Sequence, residues 1–211
     1  MFFATPQWDA DLFRLLNDTW RTPFLDTLMP LISNSLLMWG LVGIIAVIIG
    51  IKASPRQRML IAGGLLLVGI TAGLSDLACG VIKDTFGRVR PLNALPSTHF
   101  VEFGEWTQRA ADFVQTKTRG GSFVSAHAAN SLAAVLVACS LWPRLAIIIL
   151  PLPFLMGWSR VYLGKHYPSD VLGGWLVGLA VALLVIHAWR GIRAYRDTRE
   201  KQTRNANPPG Q

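Results

Sequence analysis

The sequence predicts an all-α membrane protein: a bundle of five to six transmembrane helices led by an N-terminal interfacial amphipathic helix. Three observations predict it. Of the 211 residues, 52% are hydrophobic and only 15% charged, where a soluble domain carries about a quarter charged residues; the mean hydropathy is +0.39. Apolar runs recur at the roughly 20-residue length that a bilayer core requires. Basic residues collect in short loops and in the tail after Trp189, the pattern that membrane orientation produces. A net charge of +8 distributed in this way argues against nucleic-acid binding.

The elements follow in order. The opening stretch MFFATPQWDADLFR has no basic region ahead of an apolar run, so a cleavable signal is not expected. WDADLFRLLNDTWRTPF alternates apolar and polar residues at helical spacing, which fits a helix lying in the membrane interface. Residues 24–33 are a short sixth span candidate, interrupted by Asp26, Pro30 and the SNS sequence. Full spans are expected at 35–52, 59–82, 124–142, 145–162 and 170–189. Together, residues 1–189 read as one membrane domain, and 190–211 as a basic, disordered tail.

With five spans, the basic KASPRQR loop, Arg144 and the tail share one side, which the positive-inside rule makes cytoplasmic. The loop 84–122 and the turn 160–169 then face the periplasm or cell exterior, as expected of a multi-pass protein of the cell (inner) membrane. Cys79 and Cys139 each lie in an apolar segment and read as small hydrophobes; neither has the neighbours of a zinc site.

Three sequence-distant polar clusters meet on that outer side. Lys83 closes the second full span, and Arg88 and Arg90 follow it as candidate anion ligands. Ser125 and His127 stand at the start of the third, where free backbone N–H groups and the helix dipole favour an anion. A histidine placed there can donate a proton to a departing oxygen. Arg160 ends the fourth span and can offer a bidentate fork to phosphate oxygens. Pro168 suits the first position of the last helix, which puts Asp170 in its first turn and His166 just upstream. A carboxylate near an imidazole N–H sets the tautomer and leaves the other nitrogen as nucleophile. Charges cost roughly 2.5–3.5 kcal/mol each at mid-bilayer and less near its rim, so a cluster of cations there calls for a bound anion. His99, in LPSTHF, is followed by polar sequence and reads as a loop histidine. Asp76, within the second span, is expected to make an interhelical hydrogen bond or to tune the site.

At these residues the sequence resembles the type 2 phosphatidic acid phosphatase (PAP2) superfamily of membrane lipid phosphatases, over roughly 58–185. KDTFGRVRP carries that family's Lys and Arg-Pro in register, and SRVYLGKHYPSD carries its Ser-Arg, His and Asp. VSAH keeps Ser125 and His127 of the middle element, with Val124 and Ala126 where the family has Pro and Gly. The resemblance implies a phosphohistidine on His166, with Asp170 orienting it and His127 serving the leaving group and then water. It implies that Lys83, Arg90, Ser125 and Arg160 hold the phosphate, with no metal and no cofactor. The implied partner is a lipid phosphate or diphosphate of the phosphatidate, phosphatidylglycerol phosphate, undecaprenyl diphosphate or lipid A phosphate class. A lipid phosphotransferase would use the same site; a non-catalytic binder or transporter of anionic lipid is the other alternative, and it would not need both His127 and His166.

Overall fold

The computed structural model describes residues 5–206. Helix α1 (Gln7–Arg14) runs on through a π-type turn at Leu15–Thr19. Helix α2 (Pro23–Ser33) starts where the Thr22 hydroxyl accepts the Leu25 N–H and Pro23 supplies a preset first turn. Asn34 ends it and caps the next helix, α3 (Ser35–Lys52), by accepting the Leu37 N–H. A reciprocal Ser54–Gln57 capping box opens α4 (Pro55–Phe86). Gly87 closes α4 at φ 61°, a left-handed conformation that favours glycine and turns the chain back over the bundle.

The long loop that follows contains an antiparallel hairpin, β1 (His99–Glu102) with β2 (Glu105–Gln108), pairing His99 with Gln108 and Glu102 with Glu105. This is a departure from the expected all-α chain. Its strands are held from below: the Asn17 side chain donates to the His99 carbonyl and accepts its N–H, both at 2.9 Å, and Trp106 Nε1 donates to the Asp26 carbonyl. The chain continues through α5 (Ala126–Leu141), α6 (Ala146–Ile149), α7 (Leu152–Tyr162) and α8 (Pro168–Ala206).

Among the described residues, four helical stretches are long and apolar enough to cross a membrane: Ser35–Lys52, Pro55–Asn93, Pro143–Tyr162 and Pro168–Thr203. The expected span at 124–142 is the shorter apolar helix Ala126–Leu141, and the candidate at 24–33 is α2, 11 residues long. The expected span at 145–162 is the stretch Pro143–Tyr162, which is interrupted between α6 and α7 at Leu150–Pro151, where proline withdraws a backbone donor. A further correction concerns the tail: residues 190–206 extend α8 as helix, with Thr198 and Thr203 donating to carbonyls one turn back. Charges spaced to pair along a helix, such as Arg196 with Glu200 and Asp197 with Lys201, favour that extension. The last five residues, 207–211, lie outside the described ones.

Small residues decide which helix is central. On α5, Ala128, Ala129 and Ala133 are fully buried. Opposite them on α8, a Cβ at Gly174 or Gly178 would strike the carbonyl oxygens of Ser125 and Ala129. The backbones therefore approach as closely as a small-xxx-small contact allows. By contrast α3, built from Ile, Leu and Val, has no buried residue.

α1 docks on the end of the bundle where α8 begins. Its buried residues are Asp9, Ala10 and Phe13, while Trp8 and Leu12 are exposed. Phe13 joins Tyr167, Val161, Ala128 and Val171 in one apolar cluster.

Candidate active site

The end of α4, the start of α5, the end of α7 and the start of α8 meet at one end of the bundle. All three predicted clusters come together there. His127 lies within electrostatic range of Arg160, His166, Lys83 and Arg90, and His166 lies within range of Arg160, Asp170 and Arg90.

His166 is buried, 2% exposed, in the turn between α7 and α8. Gly164, at φ 67°, makes that turn; a Cβ there would meet the His99 carbonyl at 2.8 Å, so the hairpin backbone packs directly on it. The imidazole Nδ1 stands 2.8 Å from the Ser122 carbonyl oxygen. Since a carbonyl only accepts, Nδ1 carries the proton and donates, and Nε2 keeps its lone pair. The expected carboxylate–imidazole hydrogen bond is thus replaced: Asp170 Oδ2 is 3.7 Å from Nδ1, beyond hydrogen-bonding distance. The reason is that Asp170 is already fully engaged. It accepts from Arg88 Nη1 at 2.6 Å, from the Ser122 hydroxyl at 2.5 Å and from the Tyr167 N–H at 2.8 Å. Asp170 acts on the ring through space and through Ser122. Burial, with Arg160 and Arg90 adding to it and Asp170 opposing it, holds the His166 imidazolium down to a pKa of about 4, so the ring is neutral.

Ser125 occupies the N-cap position of α5, yet its hydroxyl makes no cap hydrogen bond; it is buried and has no partner among the described residues. Its N–H is fixed by donating to the Asp170 carbonyl at 2.8 Å. The Nε groups of Arg90 and Arg160 are likewise buried and unpartnered. Among the described residues, Lys83, Arg90 and Arg160 have no carboxylate in ion-pair contact. A buried polar group without a partner is costly in hydrocarbon surroundings, and the three cations lie within electrostatic range of one another. The arrangement suits an oxyanion with several oxygens.

Arg88, a candidate anion ligand in the sequence, is instead 1% exposed and bound to Asp170 and Asp9. Gly120 makes this possible: a Cβ there would press on the Arg88 carbonyl at 3.0 Å. Asp76 accepts from Asn130 at 3.3 Å, the interhelical hydrogen bond expected of it. His99 pairs with Asp18 at 3.1 Å on the hairpin, apart from the cluster. Among the described residues no three His, Cys, Asp or Glu side chains gather to hold a metal ion. Lys165 stands near Arg160, Arg90 and Glu102, and burial with the two arginines lowers its pKa.

Four residues at the site escape sequence reasoning. Ser122 supplies the acceptor for His166, and Ser33, at the end of α2, accepts from Arg160 Nη1. The Ser35 hydroxyl lies 3.0 Å from His127 Nε2, and Asp9 reaches Arg88 from α1. The SNS break at 33–35 and an acidic residue inside an amphipathic stretch were visible signals; Ser122 had none beyond its small neighbours.

The chain matches the PAP2 superfamily over residues 64–193, more than half its length, and belongs to that family. The lipid A 4'-phosphatase of Bacteroides thetaiotaomicron is 31% identical over 116 residues, covering 53% of this chain and 47% of that protein. The chain thus spans about half the length of that relative. The crystal structure of a transmembrane PAP2-type phosphatidylglycerolphosphate phosphatase from Bacillus subtilis superposes with a TM-score of 0.59 at 27% identity, covering 88% of this chain and 86% of that one. Aquifex aeolicus LpxE shares the fold, with a TM-score of 0.65 at 20% identity, 89% of this chain and 99% of that one.

Proposed function

We propose that the chain is a metal-independent integral-membrane phosphatase that hydrolyses a lipid phosphate or diphosphate through a phosphohistidine on His166. The observation that carries the proposal is the pinned, neutral imidazole facing unneutralised cations: Nδ1 is held by the Ser122 carbonyl, which points Nε2 away from it. In the first step Nε2 attacks phosphorus, the P–N bond forms and the bond to the leaving oxygen breaks. Protonated His127 gives that oxygen its proton. The phosphorylated ring retains its Nδ1 proton and becomes cationic, and Asp170, 3.7 Å away, opposes that charge. In the second step neutral His127 takes a proton from water, the water oxygen bonds to phosphorus and the P–N bond breaks. Lys83, Arg90, Arg160 and the Ser125 hydroxyl hold the phosphate oxygens and the charge that develops on them.

α3, α4, α5, the broken α6–α7 pair and α8 make five spans of a single membrane domain. The helix ends opposite the site carry Lys52, Arg56, Arg58 and Arg144, and α8 bears Arg190 past its apolar stretch, which supports a cytoplasmic location for that side and a periplasmic or extracellular one for the site. α1 lies at the outer interface, its exposed Trp8, Leu12 and Leu15 toward lipid.

The test is phosphate release in detergent, with chelator present, from phosphatidate, phosphatidylglycerol phosphate, undecaprenyl diphosphate and a lipid A phosphate side by side. Wild type should act on at least one, His166→Ala on none, and an acid-labile phosphate should be trapped on His166. Equal release by the two proteins would end the mechanism. Adding lipid or sugar hydroxyls as acceptors separates hydrolysis from phosphotransfer.

A further inference from the structure

Behind His166 lies a buried charge network larger than an ion pair. Arg88 divides its guanidinium: Nη1 donates to Asp170 at 2.6 Å and to the Ser169 hydroxyl at 2.7 Å, and Nη2 donates to Asp9 at 2.6 Å. Asp9 also accepts from the Ser169 N–H at 2.9 Å and from the Ser169 hydroxyl. The guanidinium lies 3.9 Å over the Tyr167 ring, which also packs against Phe13 with ring centroids 5.7 Å apart. Asp9 and Asp170 are both 0% exposed.

Arg88 with Asp170 alone would be neutral. A second buried carboxylate is expensive to desolvate, even at the N-terminus of α8, whose dipole favours an anion. Its consequence is a net negative charge directly behind the nucleophile. The groups facing His166 from the other elements are Arg90 after α4, His127 on α5 and Arg160 on α7, with Lys165 beside it in the turn. None of them is negative. Were Asp9 neutral, Arg88 would be matched by Asp170 alone, and the ring would meet no net negative charge when it becomes cationic.

We propose that Asp9 is a positioning residue of the active site, dividing the Arg88 charge so that Asp170 keeps enough negative charge to support the His166 ring. The N-terminal helix, outside the family-matching residues 64–193, then completes the site. The role in turnover rests on His166 being the nucleophile; the electrostatic role does not.

The experiment compares full-length wild type, Asp9→Asn and Asp9→Glu in detergent. It reads kcat and KM on whichever lipid phosphate the wild type hydrolyses, the pH profile, and the titration of the His166 ring by NMR of labelled histidine, assigned with His166→Ala. Asp9→Asn should lower kcat by about tenfold, the low end for outer partners of a functional histidine, with little change in KM. Loss of the negative charge should move the His166 titration and the acid limb of kcat/KM to lower pH. Asp9→Glu should restore the titration. Should Asp9→Asn not fold, Asp9→Ser fits the same space and carries the same readouts. A neutral variant with wild-type kcat and wild-type ring titration overturns the role of Asp9, whatever happens to its melting temperature. A wild type inactive on every lipid counts against the phosphatase reading instead, and the ring titration then decides the role of Asp9.

Discussion

His166 and His127 face the same cations, yet different kinds of structure hold them. His166 is enclosed, and its Nδ1 is fixed by the backbone carbonyl of Ser122, itself tied to Arg88 through its N–H. His127 is half-buried in the first turn of α5, and its ring nitrogen meets a single hydroxyl, Ser35, on the exposed helix α3. A backbone acceptor cannot rotate away. A serine hydroxyl on a helix with no buried residue can. The difference suits the roles proposed above: a nucleophile needs one fixed trajectory, whereas a group that serves first a leaving oxygen and then a water must move between two positions.

Several measurements would sharpen or break that contrast. The largest effect is expected at the fixed histidine: His166→Ala should reduce phosphate release to the level of lipid alone and abolish the trapped phosphate. His127→Ala should lower kcat by about 10²–10⁴-fold, the range for a lost general acid–base. Much of the first-step loss should return with a phosphate ester whose leaving group needs no proton. If both variants responded alike to such a substrate, the division of roles would be wrong. Asp170→Asn should cost about 10–100-fold in kcat, since it removes an outer charge rather than a contact to the ring. It should also destabilise the fold, because Arg88 would lose a buried partner, a change worth about 3–5 kcal/mol when one side of such a pair is removed. Ser35→Ala should cost no more than about tenfold, the worth of one hydrogen bond, and should act on the second step.

The smallest effect is one of pH. Enclosure disfavours the imidazolium, so His166 stays neutral, and competent to attack, down to about pH 4. The acid limb of kcat/KM that belongs to it should therefore fall well below the ordinary histidine value of about 6.5. Opening the enclosure by Gly164→Val, at a left-handed position packed on the His99 carbonyl, should raise that limb toward 6.5. An acid limb already near 6.5 in wild type would mean that the ring is more hydrated than its burial implies.

Much of this was legible in the chain because membrane helices announce themselves by length and apolarity, and the chemical groups by standing where apolarity fails. Lys83, Arg90, Ser125, His127, Arg160, His166 and Asp170 were all singled out on that ground, and the structure gathers them at one end of the bundle. The hairpin at His99–Gln108 was less legible, since its strands are only four residues long and are held by Asn17 and Asp26 from distant segments. The G-x-x-x-G spacing of Gly174 and Gly178 was readable but needs its partner, Ala129 on α5, to mean anything.

The sequence by itself determined the helical membrane class, the order of the spans and the set of reactive side chains, because burial in lipid constrains composition residue by residue. Only the tertiary structure decided how those side chains are wired: that Arg88 faces inward to two carboxylates while Arg90 keeps no ion pair, that a carbonyl rather than Asp170 holds the imidazole, and that Asp9 and Ser35 reach the site from the N-terminal helices. Hydrogen-bond partners are chosen by ångström-scale distances between segments far apart in the chain, and spacing along the chain does not encode those distances.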